Sequence, residues 1–120
     1  MDSCIGYYAT EDGITVTLDV ENEDVMAIGD RMNEICDQAY MNGYNWEAFL
    51  NSYLEENAPE IADAIETDPE AGMYSAHFSG NDEETKALAK SFRELLEKLL
   101  DNEEEIYEFL RENADDIEWD

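Results

Sequence analysis

The stretch Gly43-Tyr44-Asn45-Trp46-Glu47-Ala48-Phe49-Leu50-Asn51-Ser52-Tyr53-Leu54 decides the fold, because it is a loop that becomes a strongly aromatic, amphipathic helix. Asn45 is the predicted N-cap, since its side-chain oxygen can accept a free backbone N–H of the first turn. We therefore predict a central helix over residues 46–57 that other elements pack against. Its apolar stripe follows helical spacing: Trp46, Phe49, Leu50, Tyr53 and Leu54.

Two strands and a helix are predicted before this stretch. Residues 3–9 are aromatic and poor in helix formers, and residues 14–20 alternate between apolar and polar side chains. Turn-forming residues 11–13 lie between them, so a hairpin is expected. Its outward threonines indicate a sheet face that is wet or only lightly covered. After a cluster of caps and acids at residues 21–24, a helical stripe predicts a helix that reaches about Tyr40.

The second half of the chain predicts one more strand among helices. Pro59 is well placed to open a short helix to about residue 65, and residues 67–72 are typical of a turn. Residues 73–79 predict a third strand, paired with the hairpin. Residues 79–82 then end this strand and cap a long leucine-lined helix, and Asn102 caps a last helix at 103–113. Residues 117–119 are a short edge strand or a docked tail. This order predicts one α+β domain over residues 1–120, in which a layer of helices packs on one face of a small antiparallel sheet.

The charge is the outstanding compositional feature. The chain has 33 Asp and Glu against 6 Lys and Arg, a net charge of −27. A charge of this size destabilises the folded state by self-repulsion, so a selective reason for it is expected. Nucleic acid and anionic membranes are poor partners because both are negative, whereas a basic protein is a good one. The plainer alternative is that the charge only keeps the protein soluble or adapts it to high salt.

No residue pattern indicates catalysis or a cofactor. The single histidine, His77, shares a strand face with Ser75 and Ser79, but no nucleophile motif accompanies it. Cys4 and Cys36 have neither metal nor redox spacing, and no calcium-loop or phosphate-loop motif occurs, so we predict no cofactor and no metal site. Without a leader-like or membrane-spanning apolar run, we expect a soluble cytoplasmic protein, favoured as a monomer, with reduced thiols.

A folded acidic surface remains as the candidate partner-binding site. One set of acids brackets Pro59, and a second lies on the polar face of the first helix; an ordinary solvated surface is the alternative for any one of them. Basic residues that would normally intersperse are missing. Tyr44, Tyr7 and Tyr8 are candidate aromatic anchors if they are exposed. The predicted site comprises Glu55, Glu56, Glu60, Asp63, Glu66, Asp68, Glu70, Asp30, Glu34, Asp37 and Tyr44.

The chain resembles the immunity protein 51 family, one of the bacterial immunity protein families of polymorphic toxin systems. The segments that support the resemblance are residues 43–48, residues 53–54 with 57–59, residues 68–73 and residues 117–119. The resemblance implies a protein that binds and blocks a toxin domain made by the same cell. Many such toxins are nucleases, whose substrate groove must be positive, so an acidic protein could occupy it as a phosphate mimic. The alternatives are an acidic DNA mimic that regulates a host DNA-binding protein and, as a distant third, a small enzyme.

Overall fold

A four-stranded antiparallel sheet forms one side of the molecule in the computed structural model, which describes residues 4–119. The strands are β1 (Ile5–Ala9), β2 (Gly13–Asp19), β3 (Ile65–Thr67) and β4 (Met73–Ser79), and their order is β1-β2-β4-β3. The predicted hairpin and the strand at residues 73–79 are confirmed, as is the α+β fold class. The three-residue β3 was wrongly expected to lie in a helix and a turn; only its pairing with β4 makes it a strand.

Five helices complete the fold: α1 (Glu23–Ile35), α2 (Gly43–Asn57), α3 (Pro59–Ala64), α4 (Glu83–Asp101) and α5 (Glu103–Asn113). A short 3-10 turn, Ala114–Asp116, follows α5. Six alternating residues of β2 and β4 are buried against the helices: Ile14, Val16, Leu18, Tyr74, Ala76 and Phe78. The threonines, serines and histidine lie on the opposite face, as expected, together with the exposed Met73. Phe49 and Tyr53 of α2 pack edge-to-face against Phe109 of α5, so α5 extends the core beyond the sheet.

Two predicted helix boundaries were wrong. The helix expected to reach Tyr40 ends at Ile35, and its last turn contains no base. The acids Asp30 and Glu34 lie instead near the negative end of the helix dipole, which disfavours further turns. The cap of α2 is Asn42, whose side chain accepts the backbone N–H of Asn45.

Asn45 itself has a structural role different from the predicted cap. It is only 4% exposed and donates its side-chain amide to the backbone oxygen of Tyr40 at 2.8 Å. It therefore holds the irregular segment between α1 and α2 against the start of α2. Asn102 occupies the predicted N-cap position of α5, but its side chain makes no capping hydrogen bond. In the predicted capping segment at residues 79–82, Asp82 is the residue that accepts from the backbone of Thr85.

Candidate functional site: an acidic groove between α2 and the C-terminal segment

A groove runs between the outer face of α2 and residues 116–119, with a volume of about 490 Å³. The side of α2 that faces the groove carries residues spaced by three or four, which form one stripe opposite the buried aromatic stripe. We call this feature the acidic groove. Its lining residues are Tyr44, Glu47, Ala48, Asn51, Ser52, Glu55, Asp116, Glu118 and Trp119.

The α2 wall of the groove is fixed by its first residue. Gly43 lies directly against the turn that precedes β4: its N–H donates to the oxygen of Ala71 at 2.9 Å, and an added Cβ would lie 1.7 Å from the oxygen of Glu70. Only glycine permits this approach. The contact sets the position of α2 relative to the sheet and hence that of Tyr44, which follows immediately and is 39% exposed.

The opposite wall is formed by residues 116–119. Of the two alternatives predicted for residues 117–119, an edge strand or a docked tail, the structure has the docked tail. Ile117 is buried in the core, and Trp119 packs against the core from the rim. The indole N–H of Trp119 donates to the oxygen of Ala114 at 3.3 Å, which closes the tail onto the end of α5. The ring is therefore held in place beside the groove, opposite Tyr44.

The groove is strongly negative. Four carboxylates line it, and no Lys or Arg is among its lining residues. Glu47 also accepts a hydrogen bond from the hydroxyl of Thr67 on β3, so it is oriented by the sheet. Burial, followed by the negative charge of Glu47, raises the pKa of Tyr74 far above its ordinary value. The Glu47 carboxylate therefore lies close enough to act on the buried Tyr74 and also lines the groove.

Three of the four segments that support the family resemblance lie around the start of α2, whereas residues 53–54 and 57–59 lie at its other end. Residues 43–48 contact the turn at residues 70–73 through Gly43, and they share the groove with residues 118 and 119. The profile of the family described as immunity protein 51 matches residues 7–115, most of the chain. The chain belongs to this family. No curated protein and no solved structure is significantly similar to this immunity protein.

All eleven residues of the predicted site are exposed in the immunity protein, but they do not form one surface. Tyr44 and Glu55 lie in the acidic groove. Asp30 lies in a second depression, of about 410 Å³, between α1 and the segment that leads into α2. The other eight lie outside both depressions: Glu56 at the end of α2, Glu60 and Asp63 on α3, Glu66 on β3, Asp68 and Glu70 before β4, and Glu34 and Asp37 around the end of α1.

Seven groove residues were not in the predicted site: Glu47, Ala48, Asn51, Ser52, Asp116, Glu118 and Trp119. The spacing of Glu47 and Glu55 on one helix face was visible in the sequence, but Tyr44 joins that face only because α2 begins at Gly43 and not at Trp46. The contribution of residues 116–119 was not, because the tail reaches α2 only through the packing of Ile117, more than 60 residues along the chain. Only the tertiary structure shows that these two walls form one groove.

The remaining chemistry-bearing side chains have structural partners. His77 lies on the open sheet face, where its Nδ1 is 3.1 Å from the hydroxyl of Thr15. Burial raises the pKa of the Cys4 thiol, which keeps it protonated. Within residues 4–119, no three His, Cys, Asp or Glu side chains form a group that could hold a metal ion. No helix in that range is long and apolar enough to cross a membrane.

Proposed function

We propose that this immunity protein neutralises a cognate toxin domain by one-to-one binding, with the acidic groove facing a basic surface of the toxin. The observation that carries the proposal is the groove itself: four carboxylates and two aromatic rings without a base, in a chain of net charge −27. A basic side chain that enters it would meet carboxylates and could stack on a ring. A nuclease, whose substrate site must be positive, has the required chemistry.

The groove supports binding because its walls are already ordered. Gly43 and Ile117 fix the backbone of the two sides, so little backbone freedom remains to be lost on association. Tyr44 and Trp119 supply the aromatic anchors that dominate many interfaces, and the acids form a polar rim. The other exposed acids, on α3 and before β4, then steer the encounter rather than form the contact.

The test is calorimetric titration with the toxin-like domain encoded beside this chain, combined with growth rescue on co-expression. The groove variant Glu55→Gln/Asp116→Asn/Glu118→Gln removes three charges from the groove. At about 0.7 kcal/mol for each exposed charge contact, we expect about 30-fold weaker binding. The control variant Glu84→Gln/Glu104→Gln/Glu108→Gln changes the net charge equally at exposed sites outside the groove, and should weaken binding much less.

Two results would contradict this assignment. Equal losses in both variants would show that net charge, and not the groove, determines the affinity. Binding to several unrelated basic proteins, with a salt dependence as steep as that of a purely electrostatic contact, would favour the alternative of an acidic DNA mimic acting on a host DNA-binding protein. A complex that forms without rescuing growth would mean that binding does not block the toxin.

A further inference from the structure

The two edges of the sheet are protected very differently. Edge strands expose unpaired backbone groups, and proteins usually blunt them with short length, charges or proline. The β3 edge has all three devices: it is three residues long, contains Glu66 and is followed by Pro69. The β1 edge, Ile5–Ala9, has five residues with the sequence IGYYA and neither a charge nor a proline. The β1 edge therefore lacks the usual protection against pairing with another strand, although the chain has 33 acidic residues.

The register identifies which backbone groups of β1 face outward. Thr10 donates its N–H to the oxygen of Gly13 at 2.8 Å, which makes these two a hydrogen-bonded pair at the hairpin end. Hydrogen-bonded and non-hydrogen-bonded pairs alternate along antiparallel strands. The next hydrogen-bonded pairs are thus Tyr8 with Thr15 and Gly6 with Thr17. The N–H and C=O groups of three β1 residues therefore point away from the sheet: Ile5, Tyr7 and Ala9.

A depression of about 270 Å³ lies beside this edge on the helix side. Ile5, Tyr7, Arg93 and Glu97 line it. The guanidinium of Arg93 lies 5.0 Å from the centre of the Tyr7 ring, and its Nε is 3.4 Å from the Glu97 carboxylate. That Nε is buried, yet it has no hydrogen-bond acceptor among the described residues, because the ion pair lacks hydrogen-bond geometry. The edge thus combines free backbone groups with a partly apolar cavity and an unsatisfied donor.

We propose that an extended segment of the toxin adds to the β1 edge as a fifth strand of the sheet. This inference rests on the proposed function. An added strand would pair with the outward backbone groups of Ile5, Tyr7 and Ala9 and would place one side chain in the depression, where Arg93 can donate to it or to its backbone. Because Ile5 and Tyr7 line the depression, that side chain is apolar, and the Glu97 carboxylate favours Lys or Arg beside it.

The net charge of the chain indicates which kind of strand pairs with the β1 edge. A second copy of this chain could pair β1 with β1, but it would bring another net charge of −27 to the same place. A segment from a basic toxin is attracted by that charge. The net negative charge therefore opposes the pairing of β1 with β1 of a second copy, as charged residues or proline do on other edge strands. It leaves the edge available to a positive partner.

Amide hydrogen exchange measured by NMR on the full chain, alone and saturated with the toxin-like domain, tests this inference. In the free protein, the outward amides of Ile5, Tyr7 and Ala9 should exchange fast, and those of Gly6 and Tyr8 slowly. In the complex, the three outward amides should slow by at least about tenfold, because each gains a backbone acceptor. The inward amides of the same strand serve as the internal control.

A variant pair gives an independent measurement. Ala9→Pro removes an outward N–H without removing a bond to β2, and Ala9 is exposed, so no packing is lost. We expect about tenfold weaker toxin binding for Ala9→Pro and unchanged binding for Ala9→Ser, which keeps the N–H.

The outcomes separate this inference from the proposed function. A tight complex in which the outward amides exchange as in the free protein overturns the strand addition and leaves the proposed function standing. No complex overturns both. Protection of these amides that appears with rising concentration in the absence of toxin assigns the edge to a second copy and also overturns the proposal.

Discussion

Gly43→Ala should destabilise the protein although alanine is the better helix former. The added Cβ would lie 1.7 Å from the oxygen of Glu70 and 2.6 Å from that of Met73, whereas a carbon–oxygen contact needs about 3.3 Å. α2 and the turn must therefore separate by about 1.6 Å. That movement breaks the bond from Gly43 to Ala71, which contributes about 1 kcal/mol, and overpacking adds about 1–3 kcal/mol.

The gain in helix propensity, at most about 1 kcal/mol, offsets only part of this loss. We expect the free energy of unfolding to fall by about 2 kcal/mol, and the melting temperature by about 8 °C. Urea denaturation followed by circular dichroism measures the first quantity. Gly72→Ala is the matched control from the adjoining turn. Its new Cβ would meet only the side chain of Glu21, which can rotate away, so its stability should change by less than about 0.5 kcal/mol. If Gly43→Ala were as stable as the unsubstituted protein, the close approach of α2 to this turn would be refuted.

Two further predictions concern the conditions under which the fold is stable. Burial and then the hydrogen bond to Glu105 raise the pKa of Tyr53, and burial and then Glu47 raise that of Tyr74, so both favour the neutral phenol in the folded state. The stability that these two neutral tyrosines contribute is therefore complete below about pH 10, the ordinary tyrosine pKa, and is lost as the pH rises above it. Urea titrations from neutral to alkaline pH should show the free energy of unfolding fall, and Tyr53→Phe should make the fall shallower. Because like charges repel, the melting temperature should rise from about 0.01 M to about 1 M sodium chloride, where the Debye length shortens from about 30 Å to about 3 Å, and a flat or falling profile would contradict strong self-repulsion.

The elements that could be predicted from the sequence are those with local signals. The buried stripe of α2, the alternation of β2 and the capped start of α4 each depend on neighbours within a few residues, and all three are confirmed. The leucine-lined helix packs its buried face as expected. Here local pattern and tertiary packing agree, so the prediction needed no knowledge of distant parts of the chain.

The wrong predictions concern residues whose structure depends on contacts with distant parts of the chain. β3 has only three residues and becomes a strand because Ile65 pairs with Phe78. Asn42 rather than Asn45 caps α2, since Asn45 is used to hold the backbone of Tyr40. The candidate site shows the same division. Tyr44 was predicted as an aromatic anchor and Glu55 as one of the acids around Pro59, but their place on one wall of a groove depends on where α2 begins and where the tail docks.

The placement of the few bases favours a functional reason for the acidity over solubility alone. Solubility depends on the size of the net charge and does not require that the remaining bases be gathered in one place. Yet four of the six bases lie on α4 and one on α5, and Arg31 of α1 reaches Glu103 at the start of α5 in an ion pair. Residues 32–85, which contain α2, α3, β3 and β4, have no base at all. If the toxin is basic, as we propose, a charge distributed in this way would orient it toward α2 and the sheet, whereas a uniform charge would only attract it.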